Sequence, residues 1–211
     1  MDVEYKGKDT IIHNLKDFDL GQTMECGQCF HFQKIDDDEY GMSAYGKFLH
    51  AAQKDDKLYL FDTTKEEFEK IWCHYFDLDR DYGEIKSFLL KEDEKLREAV
   101  EKMWGVRILN QEFFETLISF IISQNKQIPH IKQIVARISH DYGKYQGSVG
   151  GIDFYGFQIV LDCEFPVSLF PKDQSFQVVC LVVFRVVREP FVDVCKSFFQ
   201  IVFCDEPVYF F

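Results

Sequence analysis

Two clusters in this sequence have the residue types and spacing to do chemistry. The first is the run Ser123-Gln124-Asn125-Lys126-Gln127, an unbroken polar corner between two apolar helical stretches. Side-chain amides both donate and accept hydrogen bonds, so polar groups at a helix junction can probe a ligand that two helix ends hold in place. His130 and Lys132, early in the second helix, could join Lys126 and the helix N-terminus in holding phosphate; a solvated polar face is the plainer use of the same residues. Asn125 alone would also serve as a helix C-cap, because asparagine tolerates the left-handed conformation found there. The second cluster is Cys26-Gly27-Gln28-Cys29-Phe30. Its C-x-x-C spacing could serve redox chemistry or half of a zinc site. An alternating strand pattern follows it where a redox pair starts a helix, and no second C-x-x-C completes four ligands. Gly27 by itself reads as a turn residue ahead of that strand.

The elements that must position these clusters come in two kinds. As far as Thr63 the apolar residues alternate: Cys29-Phe30-His31-Phe32-Gln33, then Tyr40 to Tyr45, Phe48 to Ala52, and Leu58 to Phe61. Such period-two runs, divided by Asp36-Asp37-Asp38 and by Lys54-Asp55-Asp56-Lys57 as hairpin tips, predict an antiparallel sheet with one buried face. At Thr64 the period becomes helical. Thr64 and Glu67 form a capping box, with Phe68, Ile71, Trp72 and Phe76 on one face. Helices follow over 82–90 and 93–104, the latter with Leu96, Val100 and Met103 at core spacing and Trp104 in the core. Gly105-Val106-Arg107-Ile108-Leu109 contains a short extended link. A helix over 111–124 buries Phe113, Leu117, Phe120 and Ile121, and Pro129 opens the next helix, which runs to about His140. The fold class is therefore α+β.

At 211 residues with 46% hydrophobic content the chain can fill a core. Its net charge of −12 argues against a surface that is one phosphate-binding field, although a local basic strip on an acidic body still binds nucleic acid. Seven cysteines without regular spacing fit reduced thiols. No stretch before residue 157 suits a signal peptide or a membrane span, so a cytoplasmic monomer is expected, in the bacterial cytosol or nucleoid, with no metal or cofactor. The composition shifts at Phe157. Residues 157–211 hold 11 Phe and 12 Val, and after Phe157 there is no Gly, Ala, Asn, Thr, Met, His or Trp. A domain of that size needs glycines for turns and helix ends, so this anomalous tail reads as a frame-shifted translation.

Residues 5–156 resemble the 8-oxoguanine DNA glycosylase/AP lyase family of the helix-hairpin-helix superfamily. The likeness rests on Cys26-Gly27-Gln28-Cys29-Phe30, on Phe120-Ile121-Ile122-Ser123-Gln124-Asn125-Lys126-Gln127-Ile128 about a hundred residues later, and on Gly105 to Leu109 ahead of the second segment. It implies an N-terminal sheet domain resembling the TATA-binding protein (1–110), the first helices of a glycosylase domain (111–156) and the aberrant tail (157–211). It also implies damaged double-stranded DNA as partner and an extruded base, whose place in the stack must be filled. In the family an asparagine matching Asn125 enters the stack; Lys126 and Gln127 stand where some relatives carry further asparagines. The glycine matching Gly27 offers its carbonyl to the N7 hydrogen that distinguishes oxidised guanine from guanine, while Phe30 supports the strand and Gln28 lines the pocket.

The same resemblance implies a lysine nucleophile in a Leu-Pro-Gly-Val-Gly-type hairpin and a later aspartate. No glycine follows Gly156, and neither Lys172 nor Lys196 sits in such a segment, so no catalytic residue is assigned. The expected function is recognition of 8-oxoguanine by base flipping with little excision; the alternative is a non-catalytic nucleic-acid or protein-binding module, and a weaker third reading is a thiol-redox protein using Cys26 and Cys29.

Overall fold

The computed structural model describes residues 1–124 and 126–157. Asn125 and nearly all of the Phe/Val-rich tail lie outside the described residues. The described part belongs to one compact unit. It opens with the hairpin β1 (Asp2–Lys6) and β2 (Asp9–His13), then a short helix α1 (Leu20–Glu25). Strands β3 (Phe32–Asp36), β4 (Glu39–Ala44), β5 (Lys47–Lys54) and β6 (Lys57–Phe61) follow. The six strands form one antiparallel sheet in the order β1-β2-β6-β5-β4-β3. The alternation sets which side chains meet. Tyr40, Met42 and Ala44 of β4, Leu49 and Ala51 of β5, Leu58 and Leu60 of β6, and Ile12 of β2 all join the core.

Against that face lie Leu20 and Met24 of α1 and a helical segment made of α2 (Lys65–Glu67), a π-helical turn (Phe68–Trp72) and α3 (Cys73–Tyr75). The capping box is present, with the Glu67 amide donating to Thr64 Oγ1 at 3.3 Å and the Thr64 amide to the Glu67 carboxylate at 3.3 Å. Phe68, Trp72 and Phe76 are buried, and the Phe18 ring meets Phe76 edge-on at 5.7 Å. Burying each of these large side chains contributes about 1.5–3 kcal/mol. Next come α4 (Tyr82–Glu92), a 3-10 turn (Glu94–Leu96) and α5 (Arg97–Lys102). Helices α6 (Phe113–Ser123) and α7 (Ile128–Tyr142) pack together, and the hairpin β7 (Tyr145–Val149) and β8 (Ile152–Tyr155) closes the described chain.

Several expectations are corrected here. The sheet does not have a single buried face, because β7 and β8 cover the outer side of β4 and β5: Phe154 lies 4.9 Å from Phe48, and Ser43 Oγ donates to Gln146 Oε1 at 2.5 Å. The third strand begins at Phe32 rather than Cys29, and α1 occupies a stretch where no helix was expected. Six residues are too few to show a 3.6-residue period, and only Asp19, whose carboxylate accepts from the Gln22 amide at 2.7 Å, signals the start.

The helix expected over 93–104 starts at its Asp93 cap, but its first turn is the 3-10 turn and it ends at Lys102. Asp93, with extended backbone, caps one segment and restarts another. Leu96 and Met103, expected in the core, are exposed, as is Trp104, whose ring takes the Lys86 ammonium at 5.8 Å. In α6 the expected inward residues Phe113 and Phe120 are 76% and 63% exposed; Ile118 and Ser119 are buried, with Leu117 and Ile121 half-buried. Seven of the eleven α6 residues are apolar, so periodicity alone cannot select the inner face.

Candidate nucleic-acid interface

Helix α1 ends at Glu25, and two residues later the chain turns at Gly27 with φ +89°. This backbone suits glycine. A Cβ built there would meet only Ile128 Cδ1, at 4.0 Å. Ile128 is the first residue of α7, so the structure brings the glycine segment to the helix that follows the polar corner.

Gln28 is the strut beneath Gly27. Its Nε2 donates to the Thr23 carbonyl at 3.0 Å and to the Arg107 carbonyl at 2.7 Å, while its Oε1 accepts from the Leu109 amide at 2.9 Å. Both amide hydrogens are thus committed, and one acceptor lone pair remains. Gln28 ties α1 to the link that precedes α6. Gln111 adds a bond from its Nε2 to the Gln28 carbonyl at 2.6 Å. Phe30 is half-buried and lines a cavity of about 290 Å³ with His31, Phe32, Ala136, His140 and Phe154 among its other walls.

The link is held from below by Arg107. Its Nε donates to the Asp17 carbonyl at 3.1 Å, Nη1 to the carbonyls of Asp77 at 2.6 Å and Arg80 at 3.0 Å, and Nη2 to that of Lys16 at 2.9 Å. The guanidinium lies 4.5 Å from the Tyr82 ring centroid. Burial holds its pKa below the usual arginine value, with Tyr82 and Asp77 acting in the opposite direction. The sequence marked the segment and not this role, because an arginine in an extended link usually faces water.

At the corner, Ser123 Oγ donates to the Phe120 carbonyl at 2.8 Å and Gln124 Nε2 to the same carbonyl at 3.4 Å. These bonds close the end of α6. Gln127 is the N-cap of α7 without a side-chain capping bond, and its carbonyl accepts from the amides of His130 at 2.9 Å and Ile131 at 3.0 Å. Gln127, Ile128 and His130 are exposed and Lys126 is half-buried, whereas Asn125 lies outside the described residues. The amides and imidazole available here suit contacts to phosphate oxygens and base edges. Lys132 differs from its expected phosphate-facing placement. Its ammonium lies 3.7 Å from the Phe32 ring centroid, and burial lowers its pKa against the opposing pull of Cys29 and Glu25. The face of α7 that carries Ile128 also carries residue 132, one turn on, and therefore turns it toward the sheet.

The C-x-x-C pair is asymmetric. Cys29 is buried, with desolvation and then Glu115 pushing its thiol far above the ordinary range, while Cys26 is exposed. A thiol held protonated is a poor nucleophile. Among the described residues no three of His, Cys, Asp or Glu gather into a metal-binding group. Iodoacetamide at pH 8 is therefore expected to alkylate Cys26 at least about tenfold faster than Cys29 in the native protein, read by peptide mass mapping; equal rates would contradict the assignment.

The family model for the N-terminal domain of 8-oxoguanine DNA glycosylase matches residues 10–117. An N-glycosylase/DNA lyase of Arabidopsis thaliana is 25% identical over 143 residues, which are 65% of this chain and 39% of that protein. The 8-oxoguanine glycosylase/lyase of Clostridium acetobutylicum, crystallised with double-stranded DNA containing cytosine opposite 8-oxoguanine, superposes with a TM-score of 0.70 at 37% identity. The match covers 74% of this chain and 53% of that one. The structure of MBOgg1 with a low-affinity DNA ligand gives a TM-score of 0.71 at 36% identity over 93% of this chain and 65% of that chain. This chain thus spans between 39% and 65% of the length of these relatives. With both motif segments brought together on an α+β frame of this kind, the chain belongs to the 8-oxoguanine DNA glycosylase family.

Proposed function

We propose that this chain is the lesion-reading part of an 8-oxoguanine DNA glycosylase/lyase: it binds duplex DNA, receives an extruded oxidised guanine against Gly27 and fills the vacated stack from the corner at Asn125. The observation that carries the reading is the left-handed Gly27 backbone, where a built Cβ would meet only Ile128 Cδ1, at 4.0 Å, three residues beyond Asn125. Oxidised guanine carries a hydrogen on N7 and guanine does not, so a backbone carbonyl at that atom is a donor-specific test. Close approach of backbone to a base needs a residue without a side chain. Lys126 and His130 would hold the flanking phosphates, and the first turn of α7 presents its positive end to them. The family resemblance implies a lysine nucleophile in a Leu-Pro-Gly-Val-Gly-type hairpin, and no segment of this sequence has that pattern. The chain is therefore proposed to recognise the lesion with little excision.

Fluorescence anisotropy on the whole chain tests this. Duplex with 8-oxoguanine opposite cytosine is expected to bind at least about tenfold more tightly than the undamaged duplex. The Gly27→Ala variant is expected to lose most of that ratio, and Asn125→Ala to weaken binding to the lesion duplex. Equal affinity for both duplexes, unmoved by Gly27→Ala, would reduce the chain to a non-catalytic nucleic-acid-binding module. Borohydride treatment with the lesion duplex is expected to trap no adduct; a covalent adduct would overturn the inactive half of the proposal.

A further inference from the structure

Directly after the glycine segment, His31 Nδ1 meets Glu115 Oε1 at 3.2 Å, and both side chains are largely buried, at 8% and 13% exposure. A carboxylate only accepts, so Nδ1 is the donor. The contact joins two distant parts of the chain. His31 is anchored to the sheet, its carbonyl accepting from the Ser43 amide at 3.3 Å, and its ring meets Phe157 edge-on at 6.0 Å. Glu115 lies in the first turn of α6, where its own amide donates to the Glu112 cap at 2.9 Å. The Phe114 ring also lies against Phe157, tilted, at 6.1 Å. A buried polar contact of this kind contributes little net stability compared with an apolar pair of similar size. Its effect is to fix a distance and a direction.

The direction concerns the polar corner. Helix α6 is pinned at its N-terminal end to the glycine segment, by His31 to Glu115 and by Gln111 to the Gln28 carbonyl. Its other end, Ser123, leads into the corner. Eleven residues at about 1.5 Å each make a lever of roughly 16 Å, so a tilt of about 10° at the pinned end moves the corner by roughly 3 Å, the thickness of a stacked base. Phe113 and Phe120 are exposed, so among the described residues little packing on that side resists such a tilt.

We propose that His31 and Glu115 are positioning residues that set the corner relative to Gly27, so that reading the base and filling the stack occur together. The inference rests on the lesion-reading function proposed above and adds to it the coupling between its two parts.

The test uses the whole chain and a duplex carrying 2-aminopurine beside the 8-oxoguanine, whose fluorescence rises when its neighbour leaves the stack. The wild type is expected to give the rise with the lesion and not with guanine. Glu115→Leu, which keeps bulk and removes the acceptor, is expected to melt somewhat lower, because it orphans the His31 donor, yet to remain folded at the assay temperature while the lesion-to-guanine affinity ratio falls about tenfold and the fluorescence rise disappears. Glu115→Gln retains an acceptor oxygen and is expected to restore both signals. His31→Asn, which keeps a donor near the Nδ1 position, should likewise outperform His31→Leu. A wild type that does not separate lesion from guanine brings down the functional reading and the coupling with it. A wild type that separates them, alongside a Glu115→Leu variant that does so equally well, leaves the function standing and overturns the coupling alone. Loss of both signals in Glu115→Gln as severe as in Glu115→Leu also overturns it.

Discussion

Replacing Arg107 by alanine is expected to destabilise the fold by about 3–5 kcal/mol, the largest effect of any polar substitution considered for this chain. The guanidinium holds the carbonyls of Lys16, Asp17, Asp77 and Arg80, which come from two separate loops. Removing it leaves four acceptors facing an apolar space, each costing about 1–3 kcal/mol if unmet. Water entering the vacated volume would recover part of that, which brings the total below the simple sum. The stack on Tyr82 at 4.5 Å is lost as well. Arg107→Lys is expected to recover less than half, because one ammonium cannot span carbonyls that five N–H groups reach in a fixed plane. Urea denaturation measures this: a midpoint falling sharply at unchanged slope is expected, and a midpoint equal to wild type would refute the role.

Gly105→Ala is the second large effect. A Cβ at that position would lie 2.6 Å from the Asp19 amide nitrogen and 2.9 Å from Asp19 Cα, closer than real contacts allow. Asp19 Cβ lies closer still, and neither it nor the backbone atoms can rotate away. Gly105 also accepts from the Asp19 amide at 2.8 Å and from Thr23 Oγ1 at 3.1 Å, and its own amide donates to Gln22 Oε1 at 3.0 Å. Displacing the link therefore disturbs the N-terminus of α1 and, through Arg107 and Leu109, the strut at Gln28. Overpacking of this kind costs about 1–3 kcal/mol and more where backbone must move. The variant is expected to melt several degrees lower and to lose lesion discrimination out of proportion to its residual folded fraction. Unchanged melting and unchanged discrimination would show that the link can shift freely.

These two residues stand in a segment that the sequence marked as a short extended connection and as part of the family resemblance, with no role for either side chain. What was legible is local. The alternation of Tyr40, Met42 and Ala44, and of Leu58 and Leu60, identified strands because a pleated backbone sends neighbours to opposite faces. Thr64 with Glu67 announced a helix start, and Pro129 announced another, because a cap satisfies amides within one turn and proline has none to satisfy. The polar corner was visible because polar residues interrupted an apolar pattern. The helix α1, by contrast, was too short to show a period, and the apolar surplus in α6 hid which side would face inward.

The sequence by itself determined the four strands between Phe32 and Phe61, most of the helices, their order and the two motif segments, each through interactions that repeat over two to four residues; the β7–β8 hairpin it did not announce. Tertiary structure alone decided how those segments serve one another. It placed Gly27 beside Ile128, spent the Gln28 amide on partners 79 and 81 residues away, buried Arg107 among carbonyls and joined His31 to Glu115 across 84 residues. It also turned Lys132 onto Phe32. A hydrogen bond across eighty residues leaves no period along the chain, and a long polar side chain satisfies its donors equally well in water or on a distant carbonyl. Only the packed chain selects between the two.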